Sequence, residues 1–133
     1  MIILSPAEQE YLRQIYLFCK REEKINTNSL ALLVNTKPAS VTDMLQKLAK
    51  KGLIIYNKYY GCSLSESGKL EALSIVRRRL LWELLLVRTL GLDKQEADAI
   101  AAQMQSISSQ ELIDKLSKFL EDPRHDIRGE AFI

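Results

Sequence analysis

Apolar positions recur at helical spacing through most of this chain, broken by one short stretch where the pattern is that of a strand. Ser5-Pro6-Ala7-Glu8 combines a capping hydroxyl, a proline at the first helical position and a glutamate three residues past the cap, which predicts a helix from about Pro6 to Lys20. Tyr11, Leu12, Ile15, Tyr16 and Cys19 form its apolar face. A polar loop, Arg21 to Lys24, leads through Ile25 to Asn26-Thr27-Asn28, any of which can cap a second helix over Ser29 to Val34. Asn35-Thr36 is a turn. The helix after it takes Pro38 in its first turn and Gly52 as the left-handed residue past its end, with Val41, Leu45 and Leu48 as the buried stripe. Its opposite face carries Ser40, Thr42, Asp43 and Lys47, then Lys50 and Lys51, so short hydrogen-bonding groups precede ammonium groups. Two helices joined by a short turn, the second with such a face, form a helix-turn-helix pattern suited to a nucleic-acid groove.

Leu53-Ile54-Ile55-Tyr56 is β-branched and aromatic, and Gly61-Cys62-Ser63-Leu64 returns beside it as a hairpin with Asn57-Lys58-Tyr59-Tyr60 at its tip. A basic, aromatic hairpin directly after the third helix has the character of a wing. Tyr59 and Tyr60 serve cross-strand packing, phosphate contact or both, since a tyrosine can bury its ring and offer its hydroxyl. Ser65 or Ser67 caps the next helix, and nothing interrupts the pattern from Lys69 to Leu90, so one helix of roughly 24 residues, about 36 Å long, is expected before Gly91. A domain boundary falls inside it, near Leu73. Asp93-Lys94-Gln95-Glu96 and Ser108-Ser109-Gln110-Glu111 read as capping boxes for helices at about 94 to 105 and 109 to 120, the last stopped by Pro123. Leu81, Trp82, Leu84, Leu85, Leu86, Ile100, Met104, Leu112, Ile113, Leu116, Phe119 and Leu120 are more apolar surface than three helices can hide, which predicts a dimer seam.

Composition narrows the function classes. The 133 residues carry a net charge of only +2, too little to argue for a polyanion partner, but Lys37, Lys47, Lys50, Lys51 and Lys58 face a single Asp43 between residues 37 and 60. Cys19 and Cys62 have no metal-type spacing and are too few for a disulfide scaffold, which fits a reducing cytoplasm. No basic leader opens the sequence and no apolar segment is long enough to span a membrane, so export and insertion are not expected. The single histidine, His125, lies in a charged tail, and no glycine-rich phosphate loop, G-x-S-x-G or H-E-x-x-H occurs, so catalysis and a small-molecule substrate are not expected.

Glu10-Tyr11-Leu12-Arg13-Gln14-Ile15-Tyr16, Thr36 through Met44, Lys58-Tyr59-Tyr60-Gly61, Leu64 through Lys69, Leu81-Trp82-Glu83 and Glu111 through Leu116 occur in an order that resembles the metal-dependent bacterial and archaeal repressors typified by the diphtheria toxin repressor and the manganese transport regulator. The resemblance implies a mainly α fold: a winged helix-turn-helix DNA-binding domain over residues 1–72 and an all-helical dimerisation domain over 73–133. It implies a homodimeric, cytoplasmic regulator, expected to act as a repressor, on a palindromic stretch of double-stranded DNA. The small C-terminal barrel of some members is not expected, since the sequence ends at Ile133. Lys37, Ala39, Ser40, Thr42 and Asp43 are expected toward the bases, with Thr36 in the contact set, and Lys47, Lys50, Lys58 and Tyr59 on phosphates.

The resemblance also implies a metal site, and here the chain departs from the pattern. The family's ligand positions fall on Arg79, Glu83, Glu10, Asp98, Ala102, Gln105 and Ser106, and the tail histidine position on Arg128. Glu10, Glu83 and Asp98 keep carboxylates, but no imidazole or thiolate survives, which leaves a poor site for manganese or iron. The expectation is a metal-independent regulator without a cofactor, in which Arg79, one turn before Glu83, supplies a fixed positive charge among these carboxylates or else forms a surface ion pair. Two rival readings stand beside it: a Mn2+- or Fe2+-responsive repressor using the residual carboxylates, and a winged-helix protein-interaction module that does not bind DNA.

Overall fold

The computed structural model describes residues 3–107 and 109–125. The elements run α1 (Pro6–Cys19), α2 (Thr27–Leu33), α3 (Pro38–Lys50), β1 (Ile54–Asn57), β2 (Gly61–Leu64), α4 (Glu66–Leu84), a π-helical turn (Leu85–Thr89), α5 (Lys94–Ile107) and α6 (Gln110–Phe119). They fall into two compact units, residues 1–73 and 74–133, with α4 running through the boundary.

In the first unit the expected caps form. The Ser5 hydroxyl accepts from the Glu8 amide at 3.1 Å, while Glu8 Oε1 accepts from the Ser5 amide at 2.9 Å, closing a capping box. Asn26 caps α2 by accepting from the Ser29 amide at 2.8 Å, so α2 begins at Thr27, ahead of the expected Ser29. Leu12 and Ile15 of α1, Leu30 of α2, Val41, Leu45 and Leu48 of α3, and Leu53, Ile54 and Cys62 make the core. Tyr16 and Cys19, expected on the buried face of α1, are half-buried.

The hairpin pairs Ile54 with Leu64 and Asn57 with Gly61, antiparallel. Ile25 adds a bridge to its outer edge: its amide donates to the Cys62 carbonyl at 3.0 Å and its carbonyl accepts from the Cys62 amide at 2.9 Å. That tie requires glycine at position 61, where φ is +94° and an added Cβ would overlap the Ile25 carbonyl. At the hairpin's base the Ser65 hydroxyl donates to the Gly52 carbonyl at 2.6 Å and accepts from the Gly68 amide at 3.0 Å, so Ser65, not Ser67, is the cap of α4. Gly68 packs on the Leu53 carbonyl where no side chain fits.

The second unit departs more from expectation. The long helix reaches Thr89, but its last turn is π-helical, with the Leu90 amide donating to the Leu85 carbonyl at 3.1 Å. Leu81 packs with Ile113 and Leu116, Leu86 packs with Ala97 and Ala101, and Trp82 touches both groups. The wider turn rotates Leu86 onto the small residues of α5 while Leu81 and Leu84 stay fully buried. α6 is capped by Ser109, whose hydroxyl accepts from the Leu112 amide at 3.2 Å, one residue later than the expected box; Ser108 lies outside the described residues. The helix ends before Pro123, because Glu121 and Asp122 take φ values of +64° and +50° and the Asp122 amide returns to the Ser117 carbonyl at 2.7 Å. Arg77 Nη2 donates to the Ser117 hydroxyl at 2.8 Å, and that hydroxyl donates to Asp122 Oδ1 at 3.0 Å, fixing this end.

Candidate nucleic-acid interface and a buried guanidinium

α3 is held by its apolar stripe, with Val41, Leu45 and Leu48 wholly buried, and this turns the remaining residues outward. Thr36, Lys37, Ala39, Ser40, Asp43, Lys47 and Lys50 are exposed. Thr42 is half-buried, and its hydroxyl donates to the Pro38 carbonyl at 3.2 Å, leaving the oxygen's lone pairs as an acceptor. Lys37 occupies the N-cap without a side-chain hydrogen bond, so the first-turn amides have no side-chain partner and the positive helix end is open to an anion.

Lys51 does not belong to this face. Its Nζ reaches Glu8 Oε2 at 2.5 Å, and Lys47 Nζ stands 4.0 Å from the same oxygen. Glu8 is 2% exposed and thereby ties the start of α1 to the far end of α3. Burial raises its pKa, but the Lys51 hydrogen bond and charge and the bonds to Ser5 outweigh it, so the carboxyl sits below its ordinary value.

At the wing, Asn57 Oδ1 accepts from the Tyr59 amide at 2.8 Å and the Tyr60 amide at 3.3 Å, shaping the tip. Tyr59 and Tyr60 are 83% and 69% exposed, which rules out the cross-strand packing role. Their company is cationic: Lys58 Nζ lies 5.9 Å from the Tyr59 ring centre and Lys24 Nζ 5.6 Å from that of Tyr60. The cysteines behind the wing are ill-suited to thiolate chemistry. Burial, with Cys19 nearby, pushes the Cys62 thiol up to about 12, and burial raises Cys19 as well.

The second unit contains a different constellation. Arg79 is 5% exposed, so it is not the surface ion pair that one reading allowed. Its Nε donates to Glu83 Oε1 at 3.2 Å, Nη1 to Gln105 Oε1 at 3.3 Å and Nη2 to Asp98 Oδ1 at 2.7 Å. Glu83 and Gln105 are buried too, at 7% and 3%, while the Asp98 side chain is 60% exposed. Helical spacing explains the convergence: Glu83 is one turn from Arg79 on α4, and Asp98 and Gln105 lie two turns apart on one face of α5. Of the other positions singled out, Ala102 has no donor atom, and the Ser106 hydroxyl is directed to the Gln103 carbonyl of its own helix at 3.2 Å. Glu10, in the first unit, accepts from Arg13 Nη1 at 3.1 Å. His125 is exposed, and the tail with Arg128 lies outside the described residues.

These side chains do not fit a divalent ion. Glu83, Asp98 and Gln105 direct their oxygens at a permanent cation, and Arg79 contributes positive charge where a ligand would need a lone pair. Among the described residues no group of three or more His, Cys, Asp or Glu side chains is placed to hold a metal. Of the positions that the resemblance singled out in the sequence, Arg79, Glu83, Asp98 and Gln105 come together here, Gln105 as a neutral oxygen acceptor and not as one of the residual carboxylates.

Comparison with known proteins places these features in a family context. A family model described as iron dependent repressor, N-terminal DNA binding domain, matches residues 3–62, and one described as iron dependent repressor, metal binding and dimerisation domain, matches residues 65–131. An uncharacterised HTH-type transcriptional regulator of Methanocaldococcus jannaschii is 37% identical over 119 residues, spanning 89% of this chain and 95% of that protein. The manganese regulator SloR superposes with a TM-score of 0.83 at 26% identity over 98% of this chain, and a manganese-dependent transcriptional repressor in complex with manganese with 0.83 at 28% over 94%. The chain spans less than two thirds of these two structures, 64% and 57%.

Proposed function

From the premise that this chain belongs to the iron-dependent repressor family, we propose that it is a sequence-specific transcriptional repressor that engages a palindromic operator as a homodimer and needs no added metal to do so. The family supplies DNA binding through the first unit and dimerisation through the second, and it is a family of regulators, not of enzymes. No described helix is long and apolar enough to cross a membrane, and the reducing cytoplasm remains the setting that suits two buried or half-buried thiols.

The observation that carries the reading is the outward face of α3. Lys37, Ala39, Ser40, Thr42 and Asp43 gather at its open N-terminal end, the part of such a helix that reaches base edges, with Thr36 just ahead of it. Ser40 offers both donor and acceptor, Thr42 offers an acceptor while its hydrogen is held by the Pro38 carbonyl, Asp43 accepts from a cytosine amino group, and the Ala39 methyl suits a thymine methyl. Lys47 and Lys50 farther along, with Lys58 and Tyr59 on the wing, take the phosphates that fix register. The rival reading as a protein-interaction module has no comparable support, since the lysine-bearing surface is polar where a protein-binding groove would be apolar.

The test is fluorescence anisotropy with a random-sequence duplex over a range of salt. A DNA-binding dimer gives roughly micromolar affinity that falls steeply and linearly in log–log form as salt rises. Affinity that is absent, or indifferent to salt, refutes the proposal. The metal-responsive reading rests on the residual carboxylates Glu10, Glu83 and Asp98, and repeating the titration in chelator and in excess Mn2+ separates the two.

A further inference from the structure

We infer that Arg79 is a built-in cation: its guanidinium fills the position that a bound metal ion fills in the metal-binding and dimerisation domain of this family, and so makes the charged form of that domain permanent. The inference deepens the reading above, on which it rests for the assignment of the second unit to that domain.

Glu83 is buried, and a buried carboxylate persists in charged form only beside a compensating cation. In this unit that cation is covalently part of α4. Arg79 satisfies Glu83 on its own helix through Nε, and Asp98 and Gln105 on α5 through Nη2 and Nη1, so one planar group cross-links two helices. A divalent ion joins helices in the same manner, by gathering oxygens from both around one positive centre. The guanidinium differs in being bonded to the chain, so it cannot dissociate. A repressor assembled on it has no free and loaded forms for metal supply to interconvert. The second carboxylate, on Asp98, is 60% exposed, so a replacement ion introduced from outside has a route of entry.

The test is to restore the exchangeable site. In Arg79→His the guanidinium is replaced by an imidazole, leaving one nitrogen donor with Glu83, Asp98 and Gln105, a set that suits a first-row divalent ion. The full-length wild-type and variant proteins are melted in chelator, then in MnCl2 or ZnCl2, without DNA, so the readout is independent of whether the operator reading holds. The inference predicts a wild-type melting temperature that moves by less than about 1 °C with metal, and a variant that melts lower in chelator and recovers by about 5–10 °C at a hundredfold excess of metal over its dissociation constant. Should the variant not fold in chelator, refolding is carried out with each metal, and recovery of soluble dimer with Mn2+ or Zn2+ but not in chelator supports the inference. A wild-type protein stabilised by metal as much as the variant overturns it. So does a variant that ignores both metals or stays unfolded in them.

Discussion

Two buried charges, Glu8 and Arg79, do more to set this molecule's behaviour than its near-neutral total suggests. Arg79→Ala would remove the guanidinium that pairs with buried Glu83, and the expected loss is about 3–5 kcal/mol of unfolding free energy, measured by chemical denaturation. Glu8 acts through pH. Its folded-state carboxyl lies below the ordinary value of 4.5, so the stability it contributes is fully present above that value and is lost as pH falls through it toward the folded-state value. Glu8→Gln should therefore lower stability near neutral pH and flatten the acid limb, and unfolding midpoints at about pH 7 and about pH 4 test this. Lys47 belongs to the surface: Lys47→Ala should reduce the salt slope of log affinity by about one unit, provided its ammonium swings from Glu8 to a phosphate. At this scale the sequence showed Arg79, Glu83 and Asp98 because their spacing is helical and local. It hid the Glu8–Lys51 tie, since two residues far apart in the chain meet only after α1 and α3 have packed.

Elements were legible where a cap or a stripe stood out. Ser5, Pro6 and Glu8 announced α1, and Val41, Leu45 and Leu48 announced α3, because each signal lies within a turn or two of the chain. The π-helical end of the long helix was not, since nothing in Leu85–Thr89 differs in propensity from an ordinary helix; the widening answers to Ala97 and Ala101 on another element. The Ile25 bridge was equally hidden, being a tertiary pairing of a loop residue with β2. It yields a prediction: Gly61→Ala combines an unfavourable positive φ with overlap on the Ile25 carbonyl, and should cost at least about 1–3 kcal/mol, read as a lowered thermal midpoint. Substitution at the wing tip should behave differently. Lys58→Ala with Tyr59→Ala removes exposed groups, so duplex affinity should fall several-fold while the melting temperature stays within about 1 °C.

For the molecule as a whole, Leu112 and Phe119 are the residues of the expected apolar surplus of the second unit that stand exposed, while Leu81, Leu84, Leu86, Ile113 and Leu116 are buried; Leu90 and Ile107, outside that set, are exposed as well. Leu112 and Phe119 are two turns apart on α6 and share one side of it, so this helix is the proposed seam of the homodimer. Phe119→Asp should shift the species seen by sedimentation from dimer toward monomer, and with it weaken operator binding far more than binding of a half-site. If the recognition helices of a two-fold dimer lie about one DNA turn, ~34 Å, or a multiple of it apart, the proposed operator is a palindrome with that spacing. Metal-free operator recognition is tested by selecting bound sequences from a pool of random duplexes with the wild-type protein in chelator. One palindromic motif should be enriched, at equal strength when Mn2+ is supplied. A pool that stays random, or a motif that emerges only with the metal, would contradict it.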